Sequence, residues 1–171
     1  MGSVDDAKRA WARSYEGLGQ EEIDQRILSF AALVHGIARH GAVSPEEFGT
    51  ELGINSSRAK EVFEGLATIG VQIDQSGNVV GAALTALETP HRIKVGGKEL
   101  YAWCALDTLF IPGLLGESAE VESKCPVSGE TVRLMVTPKG VQEFGPTEAV
   151  ISVVLPSIGG SPMQIGPASP T

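Results

Sequence analysis

One change of period, near Gly70, constrains this chain more than any other feature. Before it, apolar residues recur three and four apart; after it, they alternate with polar ones. Such a chain is neither all helix nor all strand. Its 171 residues suffice for one modest core or two small ones, built mostly from aliphatic side chains. The expected fold class is α+β: an N-terminal winged-helix-like helical domain, then a mainly antiparallel β domain in which a short helix carries the site.

In the first half, Ile23, Ile27, Phe30, Ala31, Val34 and Ile37 repeat at helical spacing, and Gly41 after His40 is the expected stop. Ser44-Pro45-Glu46-Glu47 reads as an N-cap, a proline in the first turn and the glutamate of a capping box, opening a helix to about Leu52. After a turn at Gly53, Asn55 or Ser56 caps a third helix whose buried stripe is Ala59, Val62, Phe63, Leu66 and Ile69. His35 and His40 are expected as surface or helix-end residues, because no other His or Cys lies near them in sequence. Past Gly70, Val71 and Ile73, a turn over residues 74–78, and then Val79, Val80, Ala82 and Leu84 predict a hairpin.

Helix, short helix, turn, helix and hairpin make a winged helix-turn-helix outline, the expected unit of residues 1–89. Charge opposes its use on DNA. The first ninety residues hold 7 Lys+Arg against 13 Asp+Glu, and Arg58 and Lys60 on the third helix are offset by Glu61 and Glu64. These helices are expected to serve as a packing or lid module.

Thr89-Pro90 marks a boundary. Residues 91–95 predict a strand, Gly96-Gly97 a tight turn, and residues 99–101 the returning strand. A helix over residues 103–109 follows, ended by Pro112-Gly113. Further strands are predicted at residues 120–124, 131–137 and 149–155, with turns at 126–129 and 138–140. The β domain spans residues 90–156. The tail, residues 157–171, is rich in Pro, Gly and Ser and is expected to be irregular.

The net charge of -8 argues against nucleic acid and against an anionic membrane surface as partners. No run approaches the ~20 apolar residues of a membrane span. The charged stretch from Met1 to Glu22 lacks the apolar centre of a secretory signal. Two cysteines, Cys104 and Cys125, make no disulfide framework, which fits a reducing cytoplasm; a single bridge between them stays open.

Cys104 stands three residues before Asp107 in the run Leu100-Tyr101-Ala102-Trp103-Cys104-Ala105-Leu106-Asp107. On a helix starting there the two share a face, and the positive end of the helix dipole favours thiolate. A soft sulfur beside an acid able to carry a proton can bind a soft metal or break a bond to one. The plain alternative is a buried, inert thiol with Asp107 as an ordinary capping acid.

The string Tyr101-Ala102-Trp103-Cys104-Ala105-Leu106-Asp107, the following residues 111–116, the surroundings of Cys125 and the segment 149–156 resemble the alkylmercury lyases. These are the organomercurial-cleaving enzymes of mercury resistance. The resemblance covers roughly residues 30–156 and includes the helical front with Gly77-Asn78-Val79-Val80-Gly81. It implies protonolysis of a carbon–mercury bond. Cys104 attacks mercury, Asp107 relays a proton to the leaving carbon and then helps hold Hg(II), and Cys125 is structural. Cys104 and Asp107 are thus the expected catalytic and metal-holding residues, with mercury as substrate and product and the organomercurial as small-molecule partner. No cofactor is expected; small thiols are co-reactants, and a mercuric reductase would receive the product.

The family's second catalytic cysteine lies beyond the strand ending here at Leu155-Pro156. No cysteine follows Cys125 in this chain, so weaker turnover is expected. The sequence leaves open whether Cys125, Met163 or an external thiol completes the coordination. Two other readings stay open: a non-catalytic protein that sequesters mercury or another soft ion, and a metal-responsive winged-helix regulator.

Overall fold

A computed structural model of the chain describes residues 17–67 and 70–151. Among the described residues three helices come first: α1 (Gln20–His40), α2 (Pro45–Leu52) and α3 (Ser56–Ala67). Five strands follow: β1 (Val71–Ile73), β2 (Val79–Ala82), β3 (Leu84–Thr85), β4 (His91–Val95) and β5 (Lys98–Ala102). Helix α4 (Asp107–Leu115) leads to β6 (Ala119–Lys124), β7 (Thr131–Thr137) and β8 (Gly140–Gly145).

The helical punctuation is where the sequence put it. Gly41 ends α1 at φ 81, its N–H donating to Ile37 O at 2.8 Å. At α2 the capping box is complete: Glu47 N–H donates to Ser44 Oγ at 3.2 Å and Ser44 N–H to Glu47 Oε2 at 2.9 Å. Arg58 N–H donates to Asn55 Oδ1 at 2.9 Å and opens α3. Phe48 of α2 and Phe63 of α3 meet edge to face, ring centres 4.9 Å apart, both fully buried. One expectation shifts. Ile27 is 52% exposed, and the buried line of α1 runs through Ser29, Leu33, Val34 and Ile37. Ile69 lies outside the described residues.

The eight strands of the described residues form one antiparallel sheet in the order β1-β2-β3-β5-β4-β6-β7-β8. Because β3 pairs with β5, the sheet continues across the Thr89-Pro90 step. Gly96 and Gly97 join β4 to β5 at φ 57 and 75, the left-handed pair that a two-residue turn requires. Along β4, Ile93 and Val95 are buried while Arg92 and Lys94 face outward; on β6, Ala119, Val121 and Ser123 are buried. The buried face joins Leu33, Ile37 and Ile111 of the helices in one core.

Four expectations need correction. Residues 79–84 are not one strand: the chain pivots at Ala83, a non-glycine residue at φ 58, and turns back as β3. The site helix starts at Asp107 rather than Trp103, leaving Cys104 in the turn before it, and it runs through Pro112 to stop at Gly116. Pro112 sits inside because Ile111 and Pro112 are buried in the core, so packing outweighs the missing N–H; Glu117 N–H closes the end on Pro112 O at 3.1 Å. Strand β8 was not foreseen, since Gln142 and Glu143 mask its apolar neighbours, and almost all of it is exposed. The described part of the strand expected at 149–155, Ala149 to Ile151, is not in a strand; its remainder and the tail of residues 157–171 lie outside the described residues. No described helix is long and apolar enough to cross a membrane.

Candidate active site

Where β5 ends, two hydrogen bonds fix the direction of the chain. Ala102 O accepts from Thr89 Oγ1 at 2.6 Å, and Trp103 N–H donates to the carbonyl of the pivot residue Ala83 at 3.0 Å. The indole of Trp103 then lies against Gly81 of β2. A Cβ at Gly81 would stand 2.5 Å from Trp103 Cζ2, so only glycine admits the ring there. The next residue is Cys104.

Cys104 and Asp107 are brought together, through a tight turn rather than a shared helix face. Asp107 N–H donates to Cys104 O at 3.1 Å, and Cys104 N–H donates to Asp107 Oδ2 at 2.8 Å. This is the reach-back of an acid to the N–H three residues earlier, as in a capping box. The spacing of the two residues is therefore that of a helix entrance.

Electrostatics depart from the expected thiolate. Burial raises the pKa of Cys104, and the nearby Asp107 carboxylate raises it further. The helix dipole does not rescue the anion, because the thiol lies outside the helix and faces a like charge. Burial also raises the pKa of Asp107, which is 9% exposed; hydrogen bonds from the Cys104 side chain and N–H pull it part of the way back. Burial thus works against the charged form of each group. A soft metal arriving at the sulfur would displace the thiol proton, and Asp107 is the acceptor beside it.

Cys125 lies in the turn from β6 to β7. Its N–H donates to Glu130 O at 2.8 Å, and its sulfur accepts Ser128 N–H at 3.5 Å. Hydrogen bonds from Ser128 lower its pKa, opposite to Cys104. Both thiols are free. Among the described residues no three His, Cys, Asp or Glu side chains gather to hold a metal ion, so Cys125 does not join Cys104 and Asp107 as a third ligand. Met163 lies outside the described residues. His35 Nε2 lies 3.1 Å from Leu114 O, at the end of α4, a helix-end role.

Several neighbours of the site carried no motif. His91 is the register partner of both Ala102 and Ser123, with Nδ1 3.1 Å from Ser123 Oγ and a pKa lowered by burial. Ala83 and Gln72 also escaped notice, since neither a left-handed alanine nor a glutamine in a short strand leaves a sequence signal. A groove of about 700 Å³ lies elsewhere, lined by Arg92, Glu99, Glu122, Arg133 and Glu143 among others, and it includes neither Cys104 nor Asp107. Its ion pairs, Arg92 with Glu99 and Glu122 and Arg133 with Glu122, are solvated and contribute little.

A thiol and a carboxyl held together just past the end of β5 are a donor pair of the kind that soft-metal chemistry uses. Residues 84–165, which contain this centre, match the family model for alkylmercury lyase. An alkylmercury lyase of Bacillus cereus is 42% identical over 127 residues, 74% of this chain and 57% of that protein. One of Pseudomonas putida is 39% identical over the same share of this chain and 59% of its own. The chain thus spans less than two thirds of the length of these relatives. The crystal structure of the mercury-bound form of MerB2 superposes with TM-score 0.66 at 25% identity, over 84% of this chain and 68% of the other. The chain is similar to the alkylmercury lyases in sequence, and to MerB2 in fold.

Proposed function

We propose that the chain cleaves carbon–mercury bonds, with Cys104 as the attacking sulfur and Asp107 as the proton carrier. The observation that supports this most is the joining of the two residues, Cys104 N–H to Asp107 Oδ2 at 2.8 Å and Asp107 N–H to Cys104 O at 3.1 Å. An organomercurial R–Hg–X loses X⁻ as the Cys104 sulfur bonds mercury, and the thiol proton moves to the Asp107 carboxylate. Metal binding to a thiol releases its proton whatever the resting pKa. Burial then keeps Asp107 protonated until sulfur donation makes the carbon basic enough to take the proton. R–H departs. Hg(II) remains between the Cys104 sulfur and the Asp107 oxygen, both of which have lost their protons. Two small thiols would lift it off as a dithiolate, one of their protons returning to the Cys104 sulfur and the other passing to solvent as the counterpart of X⁻; a reductase would be the onward recipient.

The helical front fits a packing module of winged-helix outline better than a DNA reader, because Arg58 on α3 is already paired with Glu61 at 2.6 Å. A reducing, cytoplasmic setting suits two free thiols. The second reading, sequestration without turnover, is favoured by one observation: no third metal-ligating side chain gathers with Cys104 and Asp107 among the described residues.

Incubation with phenylmercury and excess small thiol separates the two. Benzene in the headspace, released by the wild type and not by Cys104→Ala, is the expected result. Stoichiometric mercury uptake without benzene would replace the lyase reading with sequestration. Benzene from Cys104→Ala at the wild-type rate would overturn the assignment of the sulfur.

A further inference from the structure

Two buried polar atoms have no hydrogen-bond partner among the described residues, Gln72 Oε1 and Trp103 Nε1. One is an acceptor and the other a donor, and the sheet sets them side by side. Gln72 of β1 is the register partner of Gly81 of β2. Directly opposed residues of an antiparallel pair project to the same face, their Cβ positions about 5 Å apart. The indole fills the space that a Gly81 side chain would take: a Cβ there would lie 3.2 Å from Trp103 Nε1 itself. The Gln72 side chain therefore emerges beside the indole edge that carries the N–H, and a glutamine is long enough to reach it.

Elsewhere among the described residues buried polar side chains are paired. Thr85 Oγ1 donates to Val80 O at 2.9 Å and Thr108 Oγ1 to Ala105 O at 2.7 Å. Two orphans of opposite kind both border one glycine position, and leaving either unpaired is costly.

We propose that Gln72 is a positioning residue of the site, its side-chain carbonyl accepting the Trp103 indole N–H across Gly81 and so fixing the peptide that carries Cys104. A turn of the amide, or one bridging water, closes the gap. The Trp103 backbone N–H is already tied to Ala83 O. With the indole held as well, residue 103 is fixed at both ends, and the Cys104 N–H that follows is aimed at Asp107. The positioning role rests on the reading of Cys104 as the attacking thiol; the hydrogen bond itself does not.

The test uses the full chain carrying Trp11→Phe, which leaves Trp103 as its one tryptophan. In the mercury-free protein the Trp103 indole N–H resonance is expected downfield and slow to exchange with solvent. Gln72→Leu removes the acceptor and keeps the bulk. It should move the resonance upfield and speed exchange roughly tenfold, as loss of one hydrogen bond implies. Gln72→Glu keeps an acceptor and should retain the shift. With phenylmercury, Gln72→Leu should lower kcat severalfold with KM little changed, and Gln72→Glu should recover part of the loss. An undisplaced, fast-exchanging indole proton in the wild type overturns the proposal without any variant, so it stays testable if Gln72→Leu fails to fold. An indole signal unchanged by Gln72→Leu overturns it too. A protected indole in a protein that releases no benzene would refute the lyase reading and leave the hydrogen bond standing. Benzene release with an unprotected indole would do the reverse.

Discussion

The helical front and the turn that carries Cys104 follow opposite rules. In the front, every signal agrees with its neighbours: Ser44 and Glu47 cap each other, Gly41 and Gly53 close their helices, and Phe48 and Phe63 fill the space between α2 and α3. Around Cys104 the same rules are broken within a few residues. Among the described residues, Ala83 takes a left-handed conformation, Asp107 is buried without a cation, the Trp103 indole N–H is unpaired, and Pro112 lies inside a helix. Such strain persists where surrounding structure enforces it, and it concentrates at sites of function. The front supplies stability, and the turn spends some of it on burying a carboxyl that water would solvate better.

This contrast can be broken from either side. The largest effect is expected from Asp107→Asn, which keeps an acceptor for the Cys104 N–H and removes the transferable proton. Benzene release should fall by about 10²–10⁴-fold, the usual contribution of a positioned acid, while mercury uptake at Cys104 survives. The same variant should be more stable than the wild type at neutral pH. Because folding raises the Asp107 pKa, the folded state binds that proton more tightly than the unfolded chain, so stability is greatest below the ordinary carboxylate pKa and falls as pH rises through the folded value. The gain in Tm for Asp107→Asn should therefore be present at pH 7 and fade towards pH 4; a gain that grew on acidification would contradict the burial argument.

In the front the expected effects are on stability alone. Phe63→Ala should cost about 3–5 kcal/mol in denaturant unfolding, with the chemistry of the protein that remains folded unaltered. Ser44→Ala should cost about 1 kcal/mol, a Tm loss of about 2–4 °C, with benzene release unchanged. A loss of turnover in the Ser44 variant, measured below its Tm, would mean that the two regions are coupled. The smallest effect sharpens the turn itself. Cys125, with its pKa lowered by Ser128, should react with iodoacetamide before Cys104, whose pKa is raised, and the lag should shrink as pH rises. Peptide mass mapping over a pH series reads this, and Cys104 reacting first at pH 7 would contradict the account.

Most of the front was legible because its signals are local. A serine, a proline and a glutamate in the order of Ser44, Pro45 and Glu47 state a helix start without help from the rest of the chain. Residues 91–95, Gly96-Gly97 and residues 131–137 were equally readable, since alternation and a two-glycine turn are short-range patterns. What escaped depends on contacts distant in sequence. Strand β8 pairs with β7 despite its polar middle, and α4 passes through Pro112 because the core receives Ile111. At the site, the pairing of Cys104 with Asp107 could be read from spacing, but its protonation could not. Burial decides that, and burial is set by helices and strands that no window around residue 104 contains.

The most direct test of the coupled thiol and carboxyl is the intact mass of the protein after mixing with one equivalent of phenylmercury and no other thiol. The wild type should pass to an adduct carrying mercury alone, the phenyl group gone as benzene, while Asp107→Asn should stop at the phenylmercury adduct on Cys104. Loss of the phenyl group from Asp107→Asn as fast as from the wild type would show that the proton comes from elsewhere, and the account would be wrong at its centre.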